Sequence, residues 1–177
     1  HSPHLEHMAN LGFSYRGIDL SPAMLDYARA KAAALGSEAR FYQADLADFT
    51  LPEQVDFAYI MLGSLYVQTT AQLLSHFSCV ERVLKPGGLY FLDWCIDFSP
   101  LSNTRDAWTC RKDGIEVRVR YTTKLLSPAA QHYEESLHAE VHEGKQRFYL
   151  SHKNIRRAIY PQEFILAATH LHKFEFI

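Results

Sequence analysis

The stretch Gly17-Ile18-Asp19-Leu20-Ser21-Pro22 decides how this chain is read. It closes a run, residues 13–18, that reads as a strand, and it opens a helix. Ser21 offers an N-cap, Pro22 suits the first helical position, and Gly36 can end the helix. Between them Met24, Leu25, Ala28, Ala32 and Leu35 fall at helical spacing and make one apolar stripe. A carboxylate, Asp19, therefore stands at the carboxyl end of a strand, where open α/β sheets bind ligands. Such a carboxylate can accept hydrogen bonds from both hydroxyls of a ribose. The plainer alternative is an Asp that serves its own turn.

Working outward, the same alternation recurs. Residues 39–44 and 55–61 read as strands, the second apolar enough to be covered on both faces. Leu73, Leu74, Phe77, Val80, Val83 and Leu84 then make a helical face, stopped by Lys85-Pro86-Gly87-Gly88, and residues 89–94 read as a fourth strand. Strands alternating with helices predict βαβ units, a parallel sheet and right-handed crossovers. Near Ser99 the period changes. Ile115, Val117, Val119 and Tyr121 alternate with charged residues, and Leu137, Ala139 and Val141 do the same, with a turn at Glu143-Gly144-Lys145 before residues 146–152. Strict alternation predicts antiparallel strands with one wet face. A helix resumes at Pro161, and residues 173–177 read as a further strand. The predicted organisation is an α/β core over 1–98, an antiparallel insertion over 99–158, and a return to the core over 159–177.

Composition limits the function classes. The chain has 177 residues, enough for one domain with an insertion, and its 47% hydrophobic and 21% charged content excludes intrinsic disorder. Eighteen basic against twenty acidic residues, a net charge of −2, argue against nucleic acid or an anionic membrane as a bulk electrostatic partner. No apolar run has the length of a membrane span, and no basic-then-apolar leader opens the chain. Cys79, Cys95 and Cys110 are odd in number and widely spaced, which fits a reducing cytoplasm better than a disulfide framework. His1, His4 and His7 recur every third residue, but nothing completes a ligand set, so no metal is expected.

A second acidic strand end, Gln43-Ala44-Asp45-Leu46, follows the first. An Asp beside a free backbone N–H can read an adenine: the carboxylate accepts from the amino group, and the N–H donates to a ring nitrogen. With residues 17–25, the run Phe41-Tyr42-Gln43-Ala44-Asp45, and residues 84–91 containing Lys85-Pro86-Gly87-Gly88, the chain resembles the class I S-adenosylmethionine-dependent methyltransferases from about Leu5 to Trp94. The resemblance implies a Rossmann-like, doubly wound α/β sheet with an inserted antiparallel β lid, and S-adenosylmethionine as cofactor. It implies that Asp19 and Leu20 sit at the ribose, Met24 against the adenine, Asp45 and Leu46 on the adenine edge, and Met61 near the methyl donor. The loop Met61-Leu62-Gly63-Ser64-Leu65-Tyr66 matches the family loop near the donor, and the antiparallel block with Tyr160-Pro161 looks like the lid of members acting on small molecules.

Ser64, Tyr66, Trp94, Arg157 and Tyr160 are the residues expected to line the acceptor pocket. Methyl transfer from a sulfonium needs mainly orientation, so no nucleophile or carboxylate dyad is expected. The expected partners are a small-molecule methyl acceptor and a second copy of the chain, with neither nucleic acid nor membrane. The family's glycine-rich loop has no counterpart in the 177 residues. The expectation is therefore a longer protein with a glycine-rich segment ahead of His1. Two other readings stand beside this one. One is a nicotinamide-dependent oxidoreductase, whose ribose Asp19 would suit equally well. The other is a non-catalytic Rossmann-like binding module.

Overall fold

A computed structural model of the chain describes residues 4–99 and 103–177. A short helix α1 (Leu5–Asn10) leads into β1 (Arg16–Asp19), α2 (Pro22–Ala34) and β2 (Arg40–Gln43). Ser21 caps α2 as its sequence suggests, its hydroxyl accepting from the Met24 N–H at 3.4 Å, and Pro22 occupies the first turn. β1 and β2 pair in parallel, with Asp19 opposite Gln43. β3 (Val55–Ile60), α3 (Thr70–Val83) and β4 (Leu84–Leu92) make the second unit, and β3 pairs in parallel with β4. The four parallel strands thus form two separate two-stranded sheets rather than one continuous sheet.

Both pairs rest on α3, which buries Leu73, His76, Phe77, Cys79, Val80 and Val83. Phe77 and Leu73 are fully buried, and each side chain stabilises the fold by about 1.5–3 kcal/mol. Ile18 of β1 and Ala58 of β3 pack on one cluster formed by Phe49, Cys79, Val80, Val83 and Leu84. Across the space between the two pairs, the hydroxyls of Tyr15 and Tyr59 lie 2.9 Å apart.

Two sequence expectations change here. Lys85-Pro86-Gly87-Gly88 does not separate helix from strand. β4 already begins at Leu84, and the four residues form an irregularity within it, between the pairs Val55–Leu84 and Phe57–Leu89. Gly87 takes the positive φ of 76° that this excursion requires. Residues 173–177 form no strand. A strand needs a hydrogen-bonded neighbour, whereas here Phe174 turns its ring onto Phe77 and Tyr90.

The second half is a four-stranded antiparallel sheet in the order β5 (Arg105–Lys112), β6 (Ile115–Ser127), β7 (His132–Glu143), β8 (Gln146–Arg157). Its first strand is absent from the sequence reading. After it come α4 (Pro161–Ile165) and a π-helical stretch, Leu166–Leu171. Among the described residues, no helix is long and apolar enough to cross a membrane. The proposed boundary near residue 99 adjoins residues 100–102, which lie outside the described residues, as does His1.

Candidate active site

Within each parallel pair the two carboxyl ends lie together. β1 delivers Asp19 there. Its Oδ1 accepts from the Ser21 N–H at 2.8 Å, so the carboxylate serves the turn as well as facing the strand end. Leu20 beside it is 65% exposed, an apolar side chain held out at a strand end. Met24 stands half-buried on the first turn of α2. The next strand end repeats the arrangement: Asp45 Oδ1 accepts from the Ala47 N–H at 2.8 Å, and Leu46 is half-buried. Gln43 ties the two ends together by donating to the Leu20 carbonyl at 3.3 Å.

Past β3 and β4 the backbone is knitted tightly. Asp93 Oδ2 accepts from the Leu62 N–H at 2.9 Å, the Asp93 carbonyl accepts from Gly63 N–H at 2.9 Å, and Asp93 N–H donates to Ile60 at 2.8 Å. A Cβ on Gly63 would stand 3.0 Å from the Trp94 carbonyl, at a φ of +64°, so glycine is required. Leu62 and Trp94 themselves adopt positive φ values of 56° and 57°, each at a cost of about 1–3 kcal/mol. Both are exposed, and Met61 beside them is half-buried. Strained apolar residues at two adjacent strand ends mark a site held in shape by its surroundings.

The antiparallel sheet docks on the loop that follows β3. Arg157 N–H donates to the Val67 carbonyl at 3.0 Å, Gln68 donates to Ile155 at 3.3 Å, and His132 Nε2–H donates to Gln68 at 3.0 Å. This brings one face of the sheet over Tyr66. Glu135, buried to 8% exposure, accepts from the Tyr121 hydroxyl at 2.5 Å. Arg156 Nε lies 3.0 Å from the same carboxylate oxygen, but off the hydrogen-bond axis, so that N–H keeps no partner. Burial, then the hydrogen bond to Glu135, pushes the Tyr121 phenol far above its usual range. Burial and then Tyr160 do the same for Tyr133. Burial raises Tyr66, with Glu135 adding to the effect and Arg156 opposing it, and burial also raises the Cys95 thiol. Three phenols and a thiol are thus held neutral around one carboxylate and one guanidinium.

Of the residues singled out in the sequence, Tyr66 and Tyr160 belong to this group, Tyr160 through Tyr133. Ser64 and Trp94 stand exposed at the adjoining loop and strand end. Arg157 is placed differently. Its guanidinium is 95% buried and donates to Thr70 at 3.2 Å, to Gln131 at 2.7 Å and to Glu163. Adjacent strand residues face opposite ways, so Arg156, not Arg157, points at Glu135. Tyr121, Tyr133, Glu135 and Arg156 escaped the sequence reading. The one available signal was an acidic residue on the apolar face of an alternating strand, Glu135 in line with Leu137 and Ala139.

Residues 2–88 match the family model described as a methyltransferase domain. YqeM of Bacillus subtilis, a protein named among the methyltransferases, is 36% identical over 88 residues, covering 49% of this chain and 35% of YqeM. The chain thus spans about a third of that relative's length. Among solved structures, Streptomyces venezuelae DesVI superposes with a TM-score of 0.82 at 24% identity, over 96% of this chain and 70% of DesVI. The S-adenosylmethionine-bound CalS10, an amino pentose methyltransferase from Micromonospora, gives a TM-score of 0.73 at 19% identity, over 94% of this chain and 69% of its own. The fold of this chain is that of these methyltransferases.

Proposed function

We propose that this chain, which carries a methyltransferase domain over residues 2–88, transfers a methyl group from S-adenosylmethionine to a small-molecule acceptor. The observation that carries the reading is the pair of carboxylates at adjacent parallel strand ends, Asp19 and Asp45, framed by exposed or half-buried Leu20, Met24 and Leu46. The donor set fits the cofactor. Asp19 suits a ribose diol, Asp45 with the Leu46 backbone suits an amino-purine edge, and Met24 and Leu20 suit the flat faces of the ring and sugar. Met61, at the strand end beside Leu62, suits the methionine portion. Bound there, the cofactor supplies a methyl group already activated by its sulfonium.

The chain's own work is then orientation and exclusion of water. Tyr66 and Tyr160 offer hydroxyl groups to an acceptor, backed by Tyr121 and Tyr133, whose hydroxyls are engaged by Glu135 and Tyr160, with Ser64 and Trp94 at the rim. Glu135 accepts a hydrogen bond from the acceptor's N–H or O–H and takes its proton where one must leave. Arg156, 3.0 Å from the Glu135 carboxylate, places a positive charge beside it, while Arg157, expected to line the pocket, is tied to Glu163 instead. The antiparallel sheet acts as the lid. Free Cys79 and Cys95, buried in the core, support a reducing cytoplasmic setting.

Calorimetric titration of the whole protein with S-adenosylhomocysteine tests the reading. Saturable one-site binding is expected. Absence of binding would leave the non-catalytic module as the better description.

A further inference from the structure

His76 lies on α3, outside both halves of the site, and is 1% exposed. Its two ring nitrogens are both engaged. Nδ1 stands 2.7 Å from the Leu46 carbonyl, and Nε2 stands 2.6 Å from the Tyr90 hydroxyl. A carbonyl can only accept, so the neutral ring carries its proton on Nδ1, and Nε2 accepts from Tyr90. Burial lowers the His76 pKa and keeps the ring neutral, which agrees with that tautomer.

The Leu46 carbonyl belongs to the same rigid peptide plane as the Ala47 N–H. That N–H donates to Asp45 Oδ1 at 2.8 Å. Orienting the plane from one side therefore aims the carboxylate on the other. Two more side chains of α3 brace Phe49, two residues further on. Cys79 Sγ accepts from Phe49 N–H at 3.3 Å, and Arg82 donates to the Phe49 carbonyl at 3.0 Å. The turn after β2 is thus held from α3 at both ends, with His76 on the end that carries Asp45.

We propose that His76, backed by Tyr90, is a positioning residue that sets the Asp45 carboxylate for recognition of the adenine amino group. The relay runs Tyr90 O–H to His76 Nε2, His76 Nδ1–H to the Leu46 carbonyl, and Ala47 N–H to Asp45. It rests on the reading of Asp45 as the carboxylate that meets the cofactor's adenine.

Two substitutions separate the halves of the relay. In His76→Asn the amide replaces Nδ1, keeping a donor for Leu46 and abandoning Tyr90. In His76→Gln the longer amide replaces Nε2, keeping Tyr90 and abandoning Leu46. The readout is the ratio of affinities for S-adenosylhomocysteine and S-inosylhomocysteine, which differ at the position of the adenine amino group. His76→Gln is expected to lower that ratio by about tenfold, and His76→Asn to leave it within about threefold of the parent. A merely structural histidine would weaken both ligands together and leave the ratio unchanged in both variants, which would overturn the proposal. Hydrogen exchange at the Ala47 amide in the ligand-free protein gives a second arm. It should accelerate in His76→Gln and not in His76→Asn, and equal rates would also overturn the relay. If the parent protein binds neither ligand, the cofactor reading fails, while the Ala47 exchange still decides whether His76 holds the turn.

Discussion

Asp19 holds the Ser21 N–H with one carboxylate oxygen, so its replacement has two separable effects. Asp19→Ala should weaken S-adenosylmethionine binding by about 1–3 kcal/mol, the scale for losing hydrogen bonds to a charged group, with calorimetry as the measurement. Melting should show a loss of about 1 kcal/mol from the turn alone. Glu135 carries the opposite signature. Glu135→Gln should leave cofactor affinity unchanged and lower turnover by about a hundredfold where the acceptor must lose a proton, as steady-state rates with a small-molecule amine would show. His76 gives a pH dependence. Its folded pKa lies below the unfolded value, so the unfolded chain binds the extra proton first as pH falls. Stability from this residue is intact above about pH 6.5 and is lost as pH drops below it, by up to about 1.4 kcal/mol per pH unit. Urea unfolding between pH 7.5 and 5 should show a shallower decline in His76→Asn than in the parent. The positions of the two strand-end aspartates were legible because each is set locally, a carboxylate between a strand and a turn. Glu135 and Arg156 were not, because only the registers of β6, β7 and β8 bring them together: Thr123 opposite Glu135, and Tyr133 opposite Arg156.

At the scale of elements, caps and periodicity carried most of the reading. α3 opens on a capping box in which Thr69 accepts from Gln72 N–H at 3.1 Å and the Gln72 side chain accepts in return from Thr69 N–H at 3.1 Å. The Ser21 cap on α2 is longer, at 3.4 Å, and unreciprocated by a side chain at the third helical position. Thr69→Ala should therefore cost about 1 kcal/mol and Ser21→Ala about half that, measured by chemical denaturation. β6 and β7 were read from their alternation, since one face of each is more covered than the other. β5 was not, because all its residues are exposed and no burial imposes a period on Arg105–Lys112. The strand expected at residues 173–177 failed for the converse reason. Its apolar alternation is real, but Phe174 serves as a plug against Phe77 and Tyr90, not as a rung of a ladder.

Across the whole molecule, the parallel strands stand as two pairs joined through α3 and a Tyr15–Tyr59 contact, while the antiparallel sheet is fastened separately, to the loop after β3 through Arg157–Val67 and to α4 through Arg157–Glu163. Sequence periodicity revealed the strands but not this division, because pairing between non-consecutive strands leaves no local mark. The division puts the proposed site where the sheet docks on the loop after β3, with Tyr66 and Trp94 on one side and Tyr121 and Glu135 on the other. The chain has two tryptophans, and they fall one on each side: Trp94 at the end of β4, 82% exposed, and Trp108 on β5, 42% exposed. The left-handed backbone that holds the Trp94 indole out in water also makes it an optical probe of the cleft. Trp108→Phe would leave Trp94 as the sole indole emitter. Its fluorescence should begin strongly red-shifted and quenchable by iodide, then move to the blue and lose quenching as cofactor and acceptor fill the space beside it. Emission indifferent to saturating cofactor would place the indole outside the cleft. With such a probe, closing of the sheet over the strand ends could be timed in a stopped-flow instrument without attaching a dye.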